Sequence, residues 1–183
     1  LGDMVLCSDP TPTGELLPYH EVSSEAGLAY SPATPTWDQI QNGYNSLDVE
    51  FNGGIAATDL NGDSALDLVL IDHDSPPRIF FGDGAGSFTE SAAATVGIEA
   101  GGAYLIGISA ADIDGDDRAE LLLLSNGPNL LFANGGDGTF TDRSAELGLS
   151  GPDRRSLSAA WADPDRDGDL DVIIVNHGLG SMG

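Results

Sequence analysis

The sequence contains no lysine. Its six cations are all arginine, set against 30 acidic side chains, for a formal charge of −24. Such a chain repels phosphate backbones and anionic lipid, which excludes nucleic acid and bilayer surfaces and makes a cation the natural partner. Cysteine is nearly absent: Cys7 stands alone, so no internal disulfide can form, and it reads as an incidental free thiol. No apolar run approaches the ~20 residues of a membrane-spanning helix, so no membrane insertion is expected. The opening Leu1-Gly2-Asp3-Met4-Val5-Leu6-Cys7 has no basic residue and is too short for a signal peptide. Because it does not start with methionine, a processed product or a fragment is expected. Aromatics make up only 7% of the chain, and Trp37 and Trp161 read as core rather than ligand platforms.

Glycine, in contrast, occurs 25 times and proline 10 times, which implies many turns. The 40% of hydrophobic residues come in dense runs, enough for a core and against disorder. Internal repeats organise them. Ile55-Ala56-Ala57-Thr58-Asp59-Leu60-Asn61-Gly62-Asp63 returns as Ile108-Ser109-Ala110-Ala111-Asp112-Ile113-Asp114-Gly115-Asp116. It returns again as Ser158-Ala159-Ala160-Trp161-Ala162-Asp163-Pro164-Asp165-Arg166-Asp167. The leading aspartates lie 53 and 51 residues apart. Gly86-Ser87-Phe88-Thr89-Glu90 matches Gly138-Thr139-Phe140-Thr141-Asp142 at a spacing of 52, and each runs into Val96-Gly97-Ile98 or Leu147-Gly148-Leu149. A divergent copy of this second element is Tyr19-His20-Glu21-Val22, followed by Glu25-Ala26-Gly27-Leu28.

Each unit reads as four short strands: one entering the acidic loop, a very apolar one leaving it, then a third and a fourth. The exit strands are 66–71, 121–124 and 172–175. Third strands follow at 78–81 and 129–133, and glycine-rich hairpins lead to fourth strands at Phe88 and Phe140. The exit strands do not alternate apolar with polar, so both of their faces are expected to be buried. Stacked sheets bury two faces, and that is the arrangement of propeller blades. The fold expected is therefore all-β, with blades of four antiparallel strands. Repeat cores span about 55–98, 105–149 and 155–178 within a propeller segment 19–183. Residues 1–18 read as an extended leader, and 29–54, with Trp37, Tyr44 and Phe51, as a surface insertion.

The acidic loops carry oxygen ligands at their first, third, fifth and ninth positions. These are Asp59, Asn61, Asp63 and Asp67; Asp112, Asp114, Asp116 and Glu120; and Asp163, Asp165, Asp167 and Asp171. Alternate spacing lets a curled loop turn successive side chains to one centre. Position seven (Ala65, Arg118, Asp169) offers a backbone carbonyl, and Gly62, Gly115 and Gly168 ease the path. Hard oxygens without cysteine or histidine suit calcium, about three ions in all, better than magnesium, which keeps more water. With Asn61 and Ser64, the first loop is expected to bind weakest.

The loops, together with Gly138-Thr139-Phe140-Thr141-Asp142, resemble FG-GAP/VCBS repeats, as found in integrin α-subunit propellers and bacterial secreted proteins. The elements at 25–28 and 145–149 resemble the cartilage acidic protein branch of that family. The resemblance covers about residues 19–178. It implies a calcium-bearing propeller in an extracellular setting with adhesion, matrix or surface-binding roles, and it places the calcium ligands on the positions just named. Asn61, Ser64 and Asp117 depart from the pattern.

Propellers close with about four to eight blades, whereas this chain holds about three units, the last without its third and fourth strands. It is either part of a longer protein or completed by another chain, for example by the Tyr19 segment of one copy filling the last blade of another. Three functions stay open. One is a secreted, non-enzymatic calcium-binding module with a protein or glycan partner. The second is a calcium-stabilised subunit that self-associates, and the third an accessory domain of a secreted enzyme. No Gly-x-Ser-x-Gly element, phosphate loop, Asn-x-Ser/Thr sequon or Arg-Gly-Asp tripeptide occurs. His20, His73 and His177 read as polar strand residues rather than as a transition-metal site.

Overall fold

A computed structural model describes residues 5–6, 20–21, 23–28, 53–72, 75–146, 148–149 and 155–177. Cys7, His73 and the insertion up to residue 52 lie outside these. The described residues are all-β apart from one 3-10 turn at Ala93–Val96. β3 (Gly53–Thr58), β4 (Asp67–Asp72), β5 (Arg78–Gly82) and β6 (Phe88–Ala92) form one four-stranded antiparallel meander. β7 (Leu105–Ala111), β8 (Glu120–Ser125), β9 (Leu130–Asn134) and β10 (Phe140–Asp142) form a second in the same order. β11 (Arg155–Ala162) and β12 (Asp171–His177) pair as the first two strands of a third sheet. Two short strands, β1 (Val5–Leu6) and β2 (His20–Glu21), pair with each other, and β3 starts inside the stretch read as insertion.

The packing follows from side-chain alternation along the exit strands. Val69 and Ile71 on β4 and Ile79 on β5 face the second sheet, and Leu121 and Leu123 on β8 face back, together with Phe132 and Phe140. Leu68, Leu70 and Phe80 point the other way, where Ala26 and Leu28 cover them. Leu122, Leu124 and Leu131 pack on the third sheet through Trp161, Val172 and Ile174. Leu121, Leu122 and Leu123 are fully buried, each worth about 1.5–3 kcal/mol. Both β4 and β8 are thus buried on two faces. β12 is not: Ile173 and Val175 stay 58% and 56% exposed, because among the described residues nothing covers that face.

The first strands of the three sheets stand side by side. A Cβ on Gly54 would lie 3.0 Å from Ile108, so glycine allows β3 to approach β7. The Trp161 indole N–H donates to Ser109 Oγ at 3.0 Å, joining β11 to β7. A chain of bonds ties the second sheet to the third, from the Asn129 amide to the buried Ser156 Oγ at 3.0 Å and on to the exposed Asn176 Oδ1 at 2.7 Å. In a meander, the loop joining strands one and two and the hairpin joining strands three and four fall at the same end. All three acidic loops therefore sit at one end of the stack, beside the hairpins.

Candidate metal centre

The three loops share one backbone path. Positions four and six are left-handed in each: Gly62 (φ 81°) and Ser64 (70°), Gly115 (76°) and Asp117 (65°), Arg166 (64°) and Gly168 (101°). One glycine eases each loop, and the other left-handed position carries a side chain at a cost of about 1–2 kcal/mol. The glycine moves from position four to position six in the third loop, yet the path is unchanged.

The first aspartate makes the curl. One of its oxygens accepts the N–H of residue four, at 2.8 Å from Gly62, 2.8 Å from Gly115 and 2.6 Å from Arg166. The other accepts the N–H of residue six, at 2.8 Å from Ser64, 2.9 Å from Asp117 and 3.2 Å from Gly168. The fifth aspartate accepts the N–H of residue seven, from Ala65 at 2.8 Å, Arg118 at 2.9 Å and Asp169 at 3.0 Å. At position three, Asn61 and Asp165 accept the N–H of residue five at 3.0 and 3.3 Å. Partial burial acts to raise the Asp59 pKa, but N–H groups of Ser64, Gly62, Asn61 and Asp63 outweigh it and hold the carboxyl below its ordinary value.

The ninth position is a tie between elements. The buried Asp67 accepts the N–H of Leu60 and of Gly82, both at 2.8 Å. Glu120 accepts the N–H of Ile113 at 3.0 Å and of Asn134 at 3.4 Å. Loss of hydration raises both pKa values, opposed by those N–H groups and reinforced by the neighbouring Asp63 and Asp59, or Asp114 and Asp116. The third loop lacks this tie on the loop side, because Pro164 at position two has no N–H to give, and Asp171 is exposed.

Oxygens of Asp112, Asp114 and Asp116 all come within 4.8 Å of one another, and so do those of Asp163, Asp165 and Asp167. In the first loop Asn61 occupies the middle place, and its amide N–H donates to Asp63 at 2.9 Å. These oxygen-only donor sets match the preference of a hard divalent cation. The sequence reading gave Arg118 a backbone role alone and missed its side chain. The guanidinium pairs with Asp116, and its Nε–H donates to the Asn134 carbonyl at 3.2 Å. The signal was a lone cation inside an otherwise anionic loop. The hairpin of the second sheet also abuts the first loop, since a Cβ on Gly62 would lie 2.9 Å from the Gly136 carbonyl oxygen.

The repeats seen in the fold are matched by a family model. The FG-GAP-like repeat matches residues 59–123 and again 112–174, together more than half of the chain. The chain belongs to the FG-GAP-like repeat family. Over 72 residues it is 40% identical to cartilage acidic protein 1 of Homo sapiens and 39% identical to that of Mus musculus. Each alignment covers 39% of this chain and 10% of the relative. Over 51 residues it is 43% identical to cartilage acidic protein 1 of Xenopus tropicalis, covering 28% of this chain and 8% of that protein. The matched stretch thus spans about a tenth of the length of these curated relatives. No described helix of this FG-GAP chain is long and apolar enough to cross a membrane.

Proposed function

We propose that this FG-GAP chain is an extracellular, non-enzymatic calcium-binding propeller segment that serves adhesion, matrix or surface binding. The observation that carries the metal reading is the hydrogen-bond frame common to all three loops. It uses up the N–H groups of positions four to seven, and in the second and third loops it leaves carboxylate oxygens of positions one, three and five within 4.8 Å of one another, with Asn61 in the middle place of the first. Calcium at such a centre neutralises the mutual repulsion and the desolvation of Asp67 and Glu120. The residues assigned to hold it are Asp59, Asn61, Asp63 and Asp67; Asp112, Asp114, Asp116 and Glu120; and Asp163, Asp165, Asp167 and Asp171. The carbonyls of Ala65, Arg118 and Asp169 complete the sets. An acidic surface of net charge −24 would present this calcium end to a protein or glycan partner outside the cell. The likeness to a protein named for cartilage and for its acidity supports that setting.

The test is a calorimetric titration of calcium into the chelator-treated chain, with melting followed in parallel. Binding near three equivalents, weakest at the first loop, and a higher Tm with calcium are the results expected. No heat and no shift in Tm would end the metal reading.

A further inference from the structure

The fifth aspartate of each loop uses one oxygen in the same way throughout. That oxygen accepts the N–H of residue seven, from Ala65, Arg118 and Asp169. The other oxygen is where the loops part. In the first loop it takes the neutral Asn61 amide at 2.9 Å. In the second, on Asp116, it takes the Arg118 guanidinium. In the third, among the described residues, no donor reaches it on Asp167. The third loop also has an arginine, Arg166 at position four, but it is exposed and joins no described carboxylate in an ion pair.

Arg118 is aimed rather than free. Its Nε–H donates to the Asn134 carbonyl at 3.2 Å, and its Cδ lies 2.5 Å from where Gly136 would carry a Cβ. The first sheet fills the same seat with a methyl, since a Cβ on Gly84 would lie 3.7 Å from the Ala65 Cβ. Asn134 in turn donates its N–H to Glu120, ninth in the loop, at 3.4 Å, and its side-chain amide to the Ala119 carbonyl at 3.3 Å. The strand end that ties one acidic side chain of the loop thus steers a cation onto another.

We propose that Arg118 is a tethered cation that guards the second loop: its guanidinium occupies the Asp116 oxygen left over by the backbone, and calcium enters by displacing it. The inference rests on the calcium reading of the loops and adds to it a residue that sets affinity. A guanidinium on that oxygen fills its place and repels an arriving divalent ion. Binding is therefore a competition, and the apparent affinity falls with the fraction of time the oxygen is free. A guanidinium in place about nine-tenths of the time weakens the site about tenfold. The second loop then binds more weakly than the third, although both offer four carboxylates. When calcium is scarce, the same charge counters the repulsion among Asp112, Asp114 and Asp116.

The experiment is a calcium chloride titration of the whole chelator-treated chain, followed by NMR at the amide signals of Gly62, Gly115 and Gly168, one in each loop. Arg118→Met removes the charge and keeps an apolar stem beside Gly136. Gly115 should then respond at about tenfold lower calcium, with Gly62 and Gly168 unmoved. Arg166→Met takes an equal charge from the third loop and should leave the Gly168 midpoint near the parent value. Urea unfolding adds a readout that separates charge from packing. Arg118→Met should be less stable than the parent in chelator, and the deficit should shrink in saturating calcium. A Gly115 midpoint that stays put in Arg118→Met, while Gly62 and Gly168 still titrate, overturns the proposal and leaves the calcium reading standing. A matching shift of Gly168 in Arg166→Met overturns it too, by making the effect one of net charge. Equal deficits in chelator and calcium would assign Arg118 to packing and likewise end it. If none of the three signals responds to calcium, the calcium reading falls and this inference with it.

Discussion

Asp67 holds Gly82 across fifteen residues, its carboxylate accepting that N–H at 2.8 Å while its other oxygen accepts the N–H of Leu60. One buried side chain thus fixes the acidic loop to the strand after next. Asp67→Asn replaces one acceptor by a donor facing a buried N–H, which costs about 1–3 kcal/mol. The loss should appear in urea unfolding with chelator present. A loss seen only with calcium would mean that Asp67 acts through the metal alone.

The first loop is a built-in control for charge. Asn61 accepts the N–H of Asp63 as Asp165 accepts that of Asp167, so asparagine at position three keeps the frame and drops one charge. Asp114→Asn combined with Asp165→Asn should therefore lower calcium affinity by roughly tenfold or more, about 1.4 kcal/mol per site, through lost charge. Urea unfolding in chelator should change little. An unaltered calcium titration would show that the third position is not a ligand.

The strand order and the equivalence of the three acidic loops were legible because each repeats with the same period, and a pattern of aspartate, glycine and apolar runs survives substitution. Position six was harder to read. Ser64 and Asp117 adopt the left-handed backbone that glycine announces only at Gly168. The Arg118 side chain was hidden because nothing local tells which way an arginine reaches. Burial of the third exit strand was overread: Val172 to Val175 are as apolar as Leu121 to Leu124, but coverage depends on a neighbouring sheet, which composition does not record. Nor do two residues such as Val5 and Leu6 announce a strand; their pairing with Glu21 and His20 shows only in the fold.

Arg78 grips Glu90 with two hydrogen bonds, of 2.6 and 2.8 Å, while its guanidinium lies 5.1 Å from the Phe80 ring centre. The bonds to Arg78 chiefly lower the Glu90 pKa from the ordinary 4.5, slight burial opposes, and the Arg78 charge adds to the lowering. A depressed carboxylate contributes stability above its unfolded pKa and loses it as pH falls through the folded value, so the contribution is complete at pH 7 and gone in strong acid. The pair is open to solvent, so its worth is only about 0.5 kcal/mol. Glu90→Gln should lower stability by about that much near pH 7. Under acid conditions well below the folded value, variant and parent should unfold alike. A difference that persists in acid would assign the effect to packing rather than charge.

Gly97 and Gly102 have nearly the same backbone, φ 87° and 81°, but different surroundings. A Cβ on Gly97 drives into the Phe140 carbonyl, where the first connector docks on the second sheet, whereas a Cβ on Gly102 meets nothing within 4 Å. Alanine at either site bears the left-handed cost of about 1–2 kcal/mol. At Gly97 it must also push the connector off the sheet, adding about 1–3 kcal/mol, the usual toll of overpacking. Urea unfolding of Gly97→Ala beside Gly102→Ala isolates that second contribution. Equal losses would mean that the connector yields freely, and the close seat at Gly97 would then hold nothing in place.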